Sequence, residues 1–158
     1  MTTQAFPFAA VVTANDAAPT DGALLVELVR LATDAGAAPV IVAVPPGVEV
    51  PGATHVVRTR PSGSPIAAIR LGMAQLTNTR ARAALLIPYG TERKSLVALL
   101  ALIDAGKRSP ANIVAFEGAP LGRSPLLVPR DMWLELVTLG ESGMDAIAAR
   151  RDVLRVRV

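Results

Sequence analysis

Cysteine is absent from the 158-residue chain, which excludes disulfides, thiolate nucleophiles and cysteine-bound metals. The single histidine, His55, cannot build a histidine metal cluster. No serine stands in a nucleophile-elbow context, so a Ser–His–acid set is excluded as well. Aromatics are scarce: three Phe, one Tyr and one Trp. With 51% of residues hydrophobic, the interior must be built mainly from Ala, Val, Leu and Ile. That is the make-up of an α/β protein with buried strands. No apolar run is long enough to span a bilayer, and the apolar start "FPFAAVVTA" lacks a positive leader. A cytoplasmic protein without a membrane partner is expected.

Acidic residues are missing between Glu49 and Glu92, a window that contains Arg58, Arg60, Arg70, Arg80 and Arg82. Such a window suits a basic face toward a phosphorylated ligand, or a solvated surface balanced elsewhere. The net charge of +3 is too small to indicate nucleic acid, and no aromatics interleave with the cations for base stacking. No G-x-G-x-x-G or Walker loop is present, which argues against dinucleotide and P-loop enzymes.

What is present alternates. "FAAVVTA" (8–14) reads as a first strand ending in the turn residues of "NDAAPTDG". Thr20 or Asp21 is placed to cap a helix running to about Ala35, with Gly36 terminating it in the left-handed conformation. "PVIVAV" (39–44), "HVVRT" (55–59) and "AALLIP" (83–88) read as further strands. Between the last two, Ser64 and Pro65 are the cap and first residue of a helix. "ERKSLVALLALIDAG" (92–106) predicts a helix ending at Gly106. "NIVAFE" (112–117) and "SPLLVP" (124–129) predict strands, "RDMWLELVTLG" and "SGMDAIAAR" short helices, and "VLRVRV" a closing strand. Trp133, beside Leu134 and Leu136, is expected in the core. Alternation of this kind predicts one α/β domain over residues 1–158, a mostly parallel sheet with helices on both faces.

Four phrases together resemble the MobA-like nucleotidyltransferases, which include the molybdenum-cofactor guanylyl- and cytidylyltransferases. They are "GSPIAAIRLGMAQL" (63–76), "ALLIP" (84–88), "EGAPLGRSPLLVPRDMWLEL" (117–136) and "LGESGMDAIAAR" (139–150). In that family a Gly/Ser turn opens a helix after the third strand, and a motif close to "LLxxxDMP" ends the next strand. A "GxxGxP" turn then precedes "L-[FIV]-x-R-x-x-[WL]", and a "GDxGAR" turn comes near the end. The resemblance implies a three-layer α/β/α sandwich with a Rossmann-like sheet.

Three departures bear on activity. The family's glycine-rich "LAAGxSxRMGxxK" loop wraps a triphosphate, because consecutive glycines let backbone N–H groups converge on the anion. Here the first strand runs into "VVTANDAAPTDGALL", with Asn15, Asp16 and Asp21 and no cation. The family's "DMP" aspartate falls near Gly90, and Pro88, Tyr89, Gly90 and Thr91 carry no carboxylate. Mg²⁺ usually takes one or two carboxylates along with substrate phosphates. Glu92 is the nearest acid, and it equally suits the first turn of a helix. The family's second metal aspartate lies in a "DIDTPED" strand end that is not found here; Glu141 keeps a carboxylate in the preceding turn, where Asp145 replaces the Arg.

The sequence therefore predicts a non-catalytic relative that binds a nucleotide, a phosphorylated small molecule or a protein partner at the carboxyl ends of the parallel strands. Asn15, Gly63, Ser64, Arg70, Tyr89, Gly90 and Arg123 are the candidate ligand-binding residues. Gly63 and Ser64 would offer N–H groups at a helix N-terminus, and Arg123 sits in the stiff "GAPLGRSP" loop. Asp16, Glu92 and Glu141 are the candidate metal ligands, with Mg²⁺ implied only if transfer activity survives. No other cofactor is expected. Self-association, as a homo-oligomer or a structural subunit, is the remaining expectation.

Overall fold

The computed structural model describes residues 6–53, 55–60, 64–89, 95–118, 123–138 and 153–157. Strand β1 (Phe8–Thr13) leads through a 3-10 turn (Pro19–Asp21) into helix α1 (Gly22–Asp34). Strands β2 (Val40–Val44) and β3 (His55–Arg58), helix α2 (Pro65–Ala74), β4 (Ala83–Pro88) and α3 (Leu96–Arg108) follow. Then come β5 (Ile113–Phe116), β6 (Leu126–Pro129), a second 3-10 turn (Arg130–Met132), α4 (Trp133–Thr138) and β7 (Val153–Val156).

These strands form one sheet in the order β3-β2-β1-β4-β6-β5-β7. β1, β2, β3 and β4 are parallel to one another, as are β5 and β7, while β6 runs antiparallel to both its neighbours. The predicted mostly parallel sheet is thus observed, with one reversed strand.

Side chains alternate across the sheet because successive Cβ atoms of a strand point to opposite faces. Phe8, Ala10 and Val12 of β1 meet Leu25 of α1 and Leu99, Leu102 and Ile103 of α3. Ala9 and Val11 meet Ile66, Ile69 and Met73 of α2 together with Trp133 and Leu136 of α4. Two helices on each face make the three-layer α/β/α sandwich. The expected core role of Trp133 holds: it is 8% exposed, and its indole Nε1–H donates to the Val128 oxygen at 3.0 Å.

Local signals held at most element ends. Gly36 has φ +107° just past α1, a left-handed backbone that favours glycine. Ser64 caps α2 with Pro65 as the first helical residue. Three boundaries need correction. Helix α3 starts at Leu96, capped by the Ser95 side chain on Ala98 N–H at 3.1 Å, rather than at Glu92. It also continues past Gly106 to Arg108, because Gly106 is a buried contact in which an added Cβ would strike the Leu127 side chain. Asp21 does not cap α1 through its side chain: its carboxylate turns back to accept from Ala18 N–H at 2.7 Å, closing the 3-10 turn. The helix expected over 142–150 lies outside the described residues.

Candidate functional site at the carboxyl edge of the sheet

Parallel β1, β2, β3 and β4 all end at the same edge, and reversed β6 begins there. Register pairs Leu86 with Leu126, so Ser124 stands beside the end of β4. Residues following Thr13, Val44, Arg58 and Pro88 therefore share one rim with the residues preceding β6. This is where open α/β sheets bind ligands.

On the α1 side the rim is acidic. Asn15 and Asp16 follow β1 directly. Tyr89 continues β4 and donates its backbone N–H to the Thr13 oxygen at 2.8 Å, tying the ends of β4 and β1 together. The Tyr89 ring packs against the cluster beneath α1. Its phenol is raised above its ordinary pKa, first by desolvation, then by a hydrogen bond to Asp21, then by the charges of Asp21 and Asp16. A neutral phenol donating to a carboxylate is the state this arrangement favours. The Asp21 carboxylate thus accepts from Ala18 N–H and keeps the nearby Tyr89 phenol protonated.

On the α2 side the rim carries hydroxyls. Thr59 follows β3 and is 3% exposed; Ser124 precedes β6 and is 7% exposed. Neither hydroxyl oxygen has a hydrogen-bond partner among the described residues. A buried hydroxyl left unpaired costs about 1–3 kcal/mol, and these two stand at separate points of the rim, Thr59 after β3 and Ser124 beside the end of β4. Sequence reasoning missed both, since a threonine or serine after a strand carries no distinctive pattern. The Asp21–Tyr89 contact was equally invisible, because 68 positions separate the partners in sequence while the β1–β4 pairing brings them together.

The arginines of the acid-free window disperse. Arg58 donates to the Val48 oxygen at 2.6 Å and the Pro45 oxygen at 3.2 Å, fastening the β2–β3 loop, and lies 3.9 Å from Glu49. Arg70 projects from α2 toward α4, its Nε–H donating to the Val137 oxygen at 2.6 Å. Arg60, Arg80, Arg82 and Arg123 are exposed. Ser64 accepts from Ala67 N–H at 3.4 Å as the α2 cap. The structure thus brings Asn15, Asp16 and Tyr89 to one rim and turns Arg70 away toward α4. Gly63, Gly90, Glu92 and Glu141 lie outside the described residues. Among the described residues no group of three or more His, Cys, Asp or Glu is placed to hold a metal ion. No described helix is long and apolar enough to cross a membrane.

No protein-family model matches the chain, and no curated protein does either. Solved structures do. The chain superposes on Rv0371c of Mycobacterium tuberculosis H37Rv, crystallised in complex with manganese, with a TM-score of 0.72 at 18% identity over 98% of this chain and 89% of that one. A nucleotidyl transferase from Methanothermobacter thermautotroptrophicus aligns with a TM-score of 0.64 at 16% identity, covering 96% and 87% of the two chains. CMP:2-keto-3-deoxy-manno-octonic acid synthetase, complexed with CTP, aligns with a TM-score of 0.63 at 14% identity, covering 96% and 90%. At these identities the likeness is one of architecture. The chain has the α/β/α fold of the nucleotidyltransferases.

Proposed function

We propose that this protein is a MobA-like member of the nucleotidyltransferase fold that binds a nucleotide or related phosphorylated small molecule without transferring it. The observation that carries this reading is the chemistry of the rim where β1 and β4 end. A triphosphate bound over β1 needs converging N–H donors and a cation. Asp16 and Asp21 stand there instead, and their charges raise the Tyr89 phenol pKa. The end of β4 offers Pro88 and Tyr89, and neither supplies the hard carboxylate oxygen that Mg²⁺ takes. Binding without chemistry is supported by the α2 side of the rim, where the Ser124 hydroxyl beside the end of β4 is buried and has no partner among the described residues. A ligand with hydroxyl or carbonyl groups, such as the sugar or base of a nucleotide, satisfies groups of that kind.

A second reading has its own support. The similar Rv0371c structure contains manganese, and in a metal-dependent transferase Asp16, Glu92 and Glu141 would be this chain's candidate ligands.

Thermal unfolding with CTP and with GTP, each with and without Mg²⁺ or Mn²⁺, separates the two. Ligand at a hundred times its dissociation constant adds about 2.7 kcal/mol, a midpoint shift of several degrees. A shift indifferent to metal is expected. A metal-dependent shift, or pyrophosphate release by the purified protein, would establish the transferase and overturn the non-catalytic reading. No shift with either nucleotide, alongside concentration-dependent self-association, would leave the protein a structural subunit.

A further inference from the structure

Away from the carboxyl edge, the outer face between α2 and α4 holds a cavity of about 570 Å³. Met73 of α2 and Thr77 just beyond its end line one wall; Trp133 and Leu134 of α4 line the other. The two helices run in opposite senses, since Arg70 reaches Val137 while Arg130 reaches Thr77. Arg70 and Arg130 therefore stand at opposite ends of an otherwise apolar groove. Leu134 is 74% exposed on its rim, while Trp133 forms a nearly buried floor. Ligand sites of about 300–1,000 Å³ have this composition, mostly apolar with a few fixed polar groups.

Arg130 is the informative group. Its guanidinium lies 4.7 Å from the centre of the Trp133 ring. Nη1 donates to the Thr79 oxygen at 2.8 Å and the Ala81 oxygen at 2.7 Å, and Nη2 donates to the Thr77 oxygen at 2.6 Å. These bonds fix the side chain as a rigid plate. An arginine carries five N–H hydrogens, so two are left after those three bonds. Among the described residues no carboxylate pairs with Arg130, and no Asp or Glu lines the cavity. A fixed, unneutralised guanidinium beside an indole and two aliphatic side chains matches an anion with an apolar body.

We propose that the α2–α4 groove binds a small organic acid, its carboxylate on Arg130 and its aromatic or branched aliphatic body over Trp133, Met73 and Leu134. The site is separate from the carboxyl-edge cleft and does not depend on the function proposed for that cleft.

Trp133 is the sole tryptophan, so its emission reports occupancy directly. The intact protein would be titrated with phenylacetate and with 4-methylpentanoate, using phenylacetamide as the uncharged control. A saturable change with either acid is expected, with the amide bound at least about tenfold more weakly. Ala74→Phe, at an exposed position of α2 that lines the groove, is expected to abolish the response while far-UV circular dichroism is unchanged. Leu134→Glu, on the exposed rim, is expected to weaken the acids by about tenfold or more through like-charge repulsion and to spare the amide. Both variants keep the test valid if Arg130→Gln proves too unstable to read. Absence of any saturable response to the acids, equal binding of acid and amide, or undiminished binding by Ala74→Phe would overturn the proposal. So would a dimer dissolved by Ala74→Phe, which would make the groove a contact between two copies.

Discussion

Tyr89 is the only tyrosine, so its ionisation can be followed alone by phenolate absorbance. Burial and the carboxylates of Asp21 and Asp16 raise its pKa above the ordinary phenol value. The sign of the linkage follows. Unfolded chains ionise near pH 10 while the folded protein still holds its proton, so the unfolded state binds fewer protons in that window. The stabilising effect of the neutral phenol is present below about pH 10 and is lost as pH rises through the folded pKa. Asp21→Asn removes the charge and weakens the hydrogen bond. The phenolate titration is then expected to move down toward the ordinary value; an unmoved titration would mean that burial and Asp16 set it without Asp21. A second residue-scale prediction concerns Gly72, buried where α2 crosses β1. A Cβ there would collide with the Val11 side chain. Gly72→Ala is expected to cost about 1–3 kcal/mol, read as a lower thermal midpoint. Helix propensity alone predicts the opposite, a gain of about 1 kcal/mol, so the sign of the change is decisive.

At the scale of elements, the helix starts were legible because a cap is a local bond. Ser64 before Pro65 marks the start of α2 with no tertiary information. Ser95 does the same for α3, but the charged run ahead of it looks equally helical, and the expected start at Glu92 falls four residues before the observed Leu96. Ser95→Ala is expected to cost about 1 kcal/mol by thermal or urea denaturation, since it orphans the Ala98 N–H at an otherwise sound N-terminus. A loss below a few tenths would show that water replaces the cap. The connection from α2 to β4 is held differently. Arg130 of the second 3-10 turn clasps the Thr77, Thr79 and Ala81 oxygens from about 50 positions away in sequence. Its spacing to Trp133 was visible as the Arg-x-x-Trp of the family-like phrase. Its partners were not, because carbonyl acceptors carry no residue signature. Arg130→Lys keeps the charge but loses the planar fork, and about 1.5–3 kcal/mol of stability is expected to go with it.

The molecule as a whole stands on one sheet shared by two apolar clusters. β1 contributes Phe8, Ala10 and Val12 to one cluster, and Ala9 and Val11 to the other. Neither face can come apart without exposing the other side of the same strands, so unfolding should be a single cooperative transition. Leu99 belongs to the α3 face and Trp133 to the opposite one. Leu99→Ala, expected to cost about 2–5 kcal/mol, should therefore lower the midpoint reported by Trp133 fluorescence as much as that reported by far-UV circular dichroism. Separate midpoints would mean that the two layers unfold independently.

By itself the sequence determined the fold class, the element types and most of their ends. Apolar runs, helical periodicity, caps and turn residues act within a few positions, and the chain states them openly. Tertiary structure alone decided the strand order, the reversal of β6, and which polar groups meet. The acidic rim at Tyr89 and the groove between α2 and α4 each join residues far apart in sequence. Such meetings depend on strand register and helix crossing, which are set by the packing of the whole core rather than by any local run of residues.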